Sequence, residues 1–398
     1  MLNFNFIMFI YRLIISVCLL QDENQKSDLD AFVCPNLILM EHDQEKYKED
    51  VLQVIQAEVG TKINTTIMEI QHDQTDAENL CSSILSGKIP IIIDFTWNGN
   101  DVAQKMSIEA QIYYLRIDIS IAPILKFLDM YLERKKANDV TIFFDDDFYV
   151  EQSIFFWLNS PRLRLFITTK DGKNLKQKLS KIIPIPSTIA IIANTKNMIN
   201  IMTNAVEQNA FKIPDRVIIL FSDLNYDRFS LTILNNTSIS MFKISKSLCC
   251  FLQEQAVCTS PENFDIQKTF LKLSLQKFII IFKSNYWGNY TFPNMHSCNE
   301  TNQERHLLKL KIQNDVSMMI GEGANIFETN DNVLEMKLSG TIEKFDEDKG
   351  DVNIGSYANK QITTNFTRTI EPIRKFYRIG IAEVPVLINI KTDRQTHF

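Results

Sequence analysis

Residues 75–97 read TDAENLCSSILSGKIPIIIDFTW, and the two halves of that stretch demand different structures. The first, 75–85, is helix-compatible and meets a stop at Ser86-Gly87. The second, Ile89-Pro90-Ile91-Ile92-Ile93-Asp94-Phe95, is a short continuous apolar run. A run apolar on both faces belongs inside a sheet that is covered on both sides. The stretch is therefore a helix feeding a buried parallel strand. Residues 94–98 fall at the carboxyl end of that strand, where open α/β sheets place their crevices.

The same rhythm extends in both directions. A strand at 36–40 precedes a helix at 44–59, where Tyr47, Val51, Val54, Ile55 and Val59 fall at helical spacing. A strand follows at 63–70. Beyond the opening stretch come a helix at 102–109, a strand at 112–117 and a helix at 122–136 with Pro123 in its permitted first turn. Strands at 140–144, 163–168, 188–193 and 216–221 then alternate with helices at 149–158, 175–182 and 196–209. Such alternation with apolar strands requires parallel sheets wrapped by helices.

Past 223 the pattern loosens into a strand at 239–244, a helix at 265–282, a loop at 286–301 and a helix at 307–319. Residues 333–352 alternate as a β-hairpin turning at 346–350. At 398 residues the chain is too long for one ordinary core. The expected organisation is a leader at 1–20, a bilobed domain at 30–355, a polar linker at 356–375, and at 376–398 the opening strand of a domain whose remainder is absent.

Hydrophobic residues make up 45% of the chain, with 11 Gly and 11 Pro, which excludes disordered and fibrous classes. A net charge of -6 and a pI near 5.6, with no basic stripe, exclude a nucleic-acid partner. Residues 1–20 are almost wholly apolar and give way abruptly to polar sequence, as in a secretory signal; an uncleaved anchor is the rival reading. No later stretch is long and apolar enough for a membrane helix.

Of the seven cysteines, Cys18 lies in the leader, leaving six: Cys34, Cys81, Cys249, Cys250, Cys258 and Cys298. An even number suits disulfides in an oxidising compartment. Sequons at Asn64, Asn235, Asn236, Asn289, Asn299 and Asn365 agree with an extracellular glycoprotein.

Nothing in the chain assembles a catalytic set. The five histidines are scattered, and no nucleophile-elbow, zincin or P-loop spacing occurs, so neither an enzyme nor a cofactor is expected. Cys249, Cys250 and Cys258 lack a fourth metal ligand, and disulfide use is the simpler reading. Asp145, Asp146 and Asp147 either gather a cation or favour the amino end of the following helix. Thr96, Trp97 and Asp118 close strands on the crevice side and are the candidate ligand-cleft residues.

Three local matches resemble the amino-terminal domain of ionotropic glutamate receptors. They are Leu80-Cys81-Ser82-Ser83 through Ile93-Asp94-Phe95, Leu338-Ser339-Gly340-Thr341-Ile342 through Phe345-Asp346 and Gly350, and Tyr377-Arg378-Ile379-Gly380-Ile381-Ala382-Glu383-Val384-Pro385. Residues 116–147 and the Cys249-Cys250 pair are similar to the insect ionotropic receptor branch, of the olfactory co-receptor type.

The resemblance implies a two-lobed α/β fold of the type I periplasmic-binding kind, with parallel sheets flanked by helices and three crossings between lobes. It implies that Cys81 pairs with Cys298, and that a bridge joins Cys249 or Cys250 to Cys258. It further implies other receptor subunits as partners, in a homo- or hetero-oligomer. Helix 122–136 is the candidate assembly patch, and a small molecule in the interlobe cleft is the alternative partner. The family's agonist site, membrane spans and pore have no counterpart here. The chain therefore reads as an extracellular piece of a membrane receptor or as a secreted form.

Overall fold

The apolar run becomes a central strand. β3 (Ile91–Asp94) pairs in parallel with β1 (Asn36–Glu41) on one side and β4 (Tyr113–Asp118) on the other. The computed structural model describes residues 36–41, 44–59, 65–70, 77–87, 89–137, 139–157, 163–183, 186–211, 216–229, 239–245, 265–285, 296–300, 302–322, 326–330, 332–346 and 350–364.

Around β3 the first lobe adds α1 (Glu45–Val59), β2 (Thr65–Ile70), α2 (Ala77–Gly87) and α3 (Asp101–Glu109). The chain then passes through α4 (Ala122–Arg134) into β5 (Asp139–Phe144), α5 (Asp147–Trp157), β6 (Leu163–Thr168), α6 (Leu175–Ser180), β7 (Ile189–Ala193), α7 (Thr195–Glu207), β8 (Val217–Phe221) and β9 (Ile239–Ile244). It returns with α8 (Ile266–Asn285), α9 (Gln303–Glu322), β10 (Phe327–Asn330) and β11 (Val333–Met336), and leaves again into β12 (Gly340–Asp346), β13 (Gly350–Ala358) and β14 (Gln361–Thr364).

Two sheets result. The six-stranded sheet has the order β10-β11-β4-β3-β1-β2, and the eight-stranded sheet β14-β13-β12-β9-β8-β7-β5-β6. All pairings from β11 to β2, and from β9 to β6, are parallel, whereas β10 and the β12–β14 meander are antiparallel. The chain moves between sheets after β4, β9 and β11, so the crossings number three. This is a two-lobed α/β fold of the periplasmic-binding type.

Side-chain alternation explains why the first-lobe strands are apolar throughout. Successive residues point to opposite faces of a strand. Leu37, Leu39, Ile92 and Tyr114 join one core with Leu80 and Ile84 of α2 and Ala103 and Met106 of α3. Ile38, Met40, Ile91, Ile93, Leu115 and Ile117 face the other way, into a core shared with Tyr47, Val51 and Ile55 of α1, Phe270 and Leu271 of α8, and Ile312 and Val316 of α9. Each such side chain taken fully from water contributes about 1.5–3 kcal/mol. That second core runs on unbroken into the eight-stranded sheet. Asp50 of α1, with its side chain 4% exposed, binds Lys268 at 2.8 Å and Lys272 at 2.9 Å and ties α1 to α8.

Three expectations change. Helix α4 buries Ile124, Leu125, Phe127, Leu128, Tyr131 and Leu132, and Phe127 stacks on Phe242 of β9, so its apolar face packs on the second sheet. It is not a free patch on the first lobe. The hairpin's first strand divides: β11 pairs with β4 of the first sheet, while β12 pairs with β9 and β13 of the second. The sheet also continues past 355, because the end of β13 and all of β14 occupy residues expected to form a linker.

Candidate functional site

The carboxyl ends of β1, β3 and β4 lie side by side, and the segments that leave them are held by side chains. Asp94, fully buried at the end of β3, accepts the N–H groups of Thr96 at 2.8 Å and Asn100 at 2.7 Å, and also the hydroxyl of Tyr114. Asn100 in turn caps α3 by accepting the Ala103 N–H at 2.8 Å. Burial, followed by the Asp94 carboxylate, keeps the Tyr114 hydroxyl protonated far above the ordinary tyrosine range. The tight turn this requires passes through Gly99, whose φ of +78° suits glycine.

Trp97 is held at both ends of its peptide unit. Its N–H donates to Glu41 at 2.9 Å, and its carbonyl accepts from the Arg116 guanidinium. Arg116 also lies 4.0 Å from Asp118, and Asp118 accepts the Ser120 N–H at 2.9 Å. Arg116 is thus the link between two of the residues expected in the cleft. Gln44 does the same, accepting from Glu41 N–H at 2.9 Å and donating to the Phe95 carbonyl at 2.6 Å.

The second lobe uses the same device. Asp145 at the end of β5 accepts the Asn194 N–H and the Asn197 amide, both at 3.0 Å, and fastens the amino end of α7. Asp223 beyond β8 accepts from Thr195 through both its N–H, at 3.0 Å, and its hydroxyl, at 2.6 Å. Burial raises the Asp145 carboxyl above the usual carboxylate range against the opposing pull of those two donors. Asp146 and Asp147 are exposed, and Asp147 opens α5, where its charge suits the helix amino end.

The hydroxyls of Tyr47 on α1 and Tyr149 on α5 feel one another electrostatically. Burial is the chief cause raising both hydroxyls, and the carboxylates of Asp265 and Asp146 act on each. The Tyr47 hydroxyl donates to Gln267 at 3.5 Å, and Gln267 donates to the Ile119 carbonyl at 2.6 Å. Among the described residues, no group of three His, Cys, Asp or Glu side chains is placed to hold a metal ion.

Thr96, Trp97 and Asp118 therefore stand at the carboxyl ends of β3 and β4, where their polar groups hold neighbouring segments. Trp97 is 7% exposed and Thr96 4% exposed. The Thr96 hydroxyl and Oδ1 of Asp145 are buried and have no hydrogen-bond partner among the described residues. Glu41, Gln44, Tyr47, Tyr149 and Asp265 were missed from sequence. Arg116 carries a signal of its own, the lone cation of the strand YYLRID, two residues before Asp118.

Cys81 and Cys298 form a disulfide across 217 residues, joining α2 to the turn before α9. Cys34, Cys249, Cys250 and Cys258 lie outside the described residues, as do the leader, the sequons at Asn64, Asn235, Asn236, Asn289 and Asn365, and residues 376–398. Asn299 is described, and it is exposed. No helix among the described residues is long and apolar enough to cross a membrane. No protein-family model matches the chain, and no curated protein matches it.

Proposed function

We propose that this chain is the extracellular amino-terminal region of an ionotropic, glutamate-receptor-like chemosensory subunit. It acts in subunit assembly or in modulation of a ligand-gated cation channel. The observation that carries the reading is the Cys81–Cys298 bridge from the second helix to a late turn, within a two-lobed fold that crosses between sheets three times. A bridge of this kind suits an oxidising, extracellular setting.

Assembly needs a surface other than α4. The first lobe offers exposed apolar side chains on its outer helices, with Ile108 64% exposed on α3 and Met318 66% exposed on α9. Sedimentation of the glycosylated fragment tests the reading. Self-association in the micromolar range, or co-sedimentation with a partner subunit's ectodomain, is expected; a strict monomer that binds no subunit argues against it.

The buried, unpartnered Thr96 hydroxyl and Asp145 oxygen favour a second reading, a secreted binder of a small ligand in the interlobe crevice. Calorimetry against amino acids and organic acids, with no heat and no thermal shift, would remove it.

A further inference from the structure

The Cys81–Cys298 bridge does not close the surface around it. Beside it lies an open groove of about 540 Å³, lined by Cys81, Ser82, Leu85, Met106, Cys298 and Asn299. Its floor is one face of α2, where residues four apart stack along the helix, with Met106 of α3 as the opposite wall.

Asn299 stands on the rim and begins the sequon Asn299-Glu300-Thr301. The turn that carries it is firmly held. The Glu300 N–H donates to the Ser297 carbonyl at 3.3 Å, and the Glu300 carboxylate accepts the His296 N–H at 3.0 Å. Just beyond, the Asn302 N–H donates to Gln111 at 2.9 Å, fastening the segment to the end of α3. The neighbouring Cys298 is only 5% exposed and bonded to α2. Asn299 itself is exposed, and the same oxidising route that forms the disulfide exposes a sequon to glycosylation.

We infer that Asn299 carries an N-linked glycan whose first sugars lie in this groove and shield the disulfide from thiols. The donor is an oligosaccharide linked to a lipid pyrophosphate. The Asn299 amide nitrogen bonds to the anomeric carbon as the bond from that carbon to the pyrophosphate oxygen breaks. The lipid pyrophosphate leaves, and the amide gives up one proton. The groove suits a sugar: Leu85 and Met106 meet its C–H face, while Ser82, Ser86 and Glu78 offer hydroxyl and carboxylate groups to its polar edge. Its volume falls in the range of about 300–1,000 Å³ typical of small-molecule sites. This inference is independent of the receptor reading, since it holds for any secreted role.

The test uses the whole chain secreted from a eukaryotic host. Peptide mass spectrometry after enzymatic release in heavy-oxygen water should mark Asn299 as occupied. Reduction of the Cys81–Cys298 bond by a water-soluble phosphine should be several-fold slower in the intact glycoprotein than in Asn299→Gln. Protein trimmed enzymatically to a single sugar should keep most of that protection. If Asn299→Gln is not secreted, the folded wild-type protein stripped of its glycans supplies the comparison. Asn365→Gln is the control and should leave the rate unchanged. An unoccupied Asn299 in folded, secreted protein overturns the inference, as does an occupied one whose removal leaves the reduction rate the same.

Discussion

Phe127 stacks on Phe242 with ring centroids 3.8 Å apart, and Tyr357 meets Phe127 edge-on at 5.2 Å. The contact joins the helix of the first crossing to a strand that follows it by more than a hundred residues. It makes α4 part of the second lobe's core, although α4 follows directly on the last parallel strand of the first lobe. Phe127 is 1% exposed, so Phe127→Ala should cost about 3–5 kcal/mol, read as a lower midpoint in chemical denaturation. A loss under about 1 kcal/mol would mean the helix is not packed on that sheet.

The Cys81–Cys298 disulfide should contribute substantially to stability. Linking residues 217 apart restricts the unfolded chain, and loss of such a bridge costs about 2–5 kcal/mol. The Cys81→Ser, Cys298→Ser double variant should therefore unfold at distinctly lower denaturant, and reductant should lower the wild-type midpoint at least as far. Equal midpoints with and without reductant would show that the bridge is absent in solution.

Asp145 should make stability depend on pH with a definite sign. Its carboxyl is raised in the folded protein, so the ionised form is the disfavoured one there. Stability from this group rises as pH falls through the raised value, and the gain is complete below the unfolded value. Asp145→Asn keeps an oxygen for Asn194 and Asn197 without the buried charge. The variant should melt above wild type at neutral pH, and the gap should close on acidification. A wild type that is the more stable at neutral pH would reverse the sign and sink the prediction.

Gly340 begins β12 directly after the third crossing. A Cβ there would stand 2.3 Å from the Lys243 carbonyl oxygen and 2.7 Å from the Phe242 ring. The carbonyl is backbone and cannot swing aside. Gly340→Ala should therefore destabilise by about 1–3 kcal/mol, with loss of hydrogen-exchange protection concentrated in β9 and β12. Unchanged protection in both strands would show that the close approach is relieved elsewhere.

Much of the first lobe was legible locally. The run at Ile91, Ile92 and Ile93 announces a strand with two covered faces, and the alternation of Leu37, Ile38 and Leu39 between two cores is the same statement made by β1. The placing of Thr96, Trp97 and Asp118 at the carboxyl ends of β3 and β4 was legible from the strand pattern. Their occupation was not, because the partners come from elsewhere: Glu41 lies 56 residues from Trp97, and Arg116 lies 19 residues from it. Even the pairing of Cys81 with Cys298 came from resemblance to a family, since spacing alone leaves several connectivities open.

By itself, then, the amino-acid order determined the alternation of strands and helices, the class of the fold and which residues stand at the strand ends. Those depend on periodicity within a dozen residues, which each segment carries wherever it is placed. Only the tertiary structure decided that residues 333–346 serve two sheets, that α4 belongs to the second lobe, and that Asp94 holds its own loop while Asp145 holds the start of α7. An apolar face or a carboxylate specifies that it must find a partner. Which partner it finds depends on what the rest of the chain brings within a few ångströms.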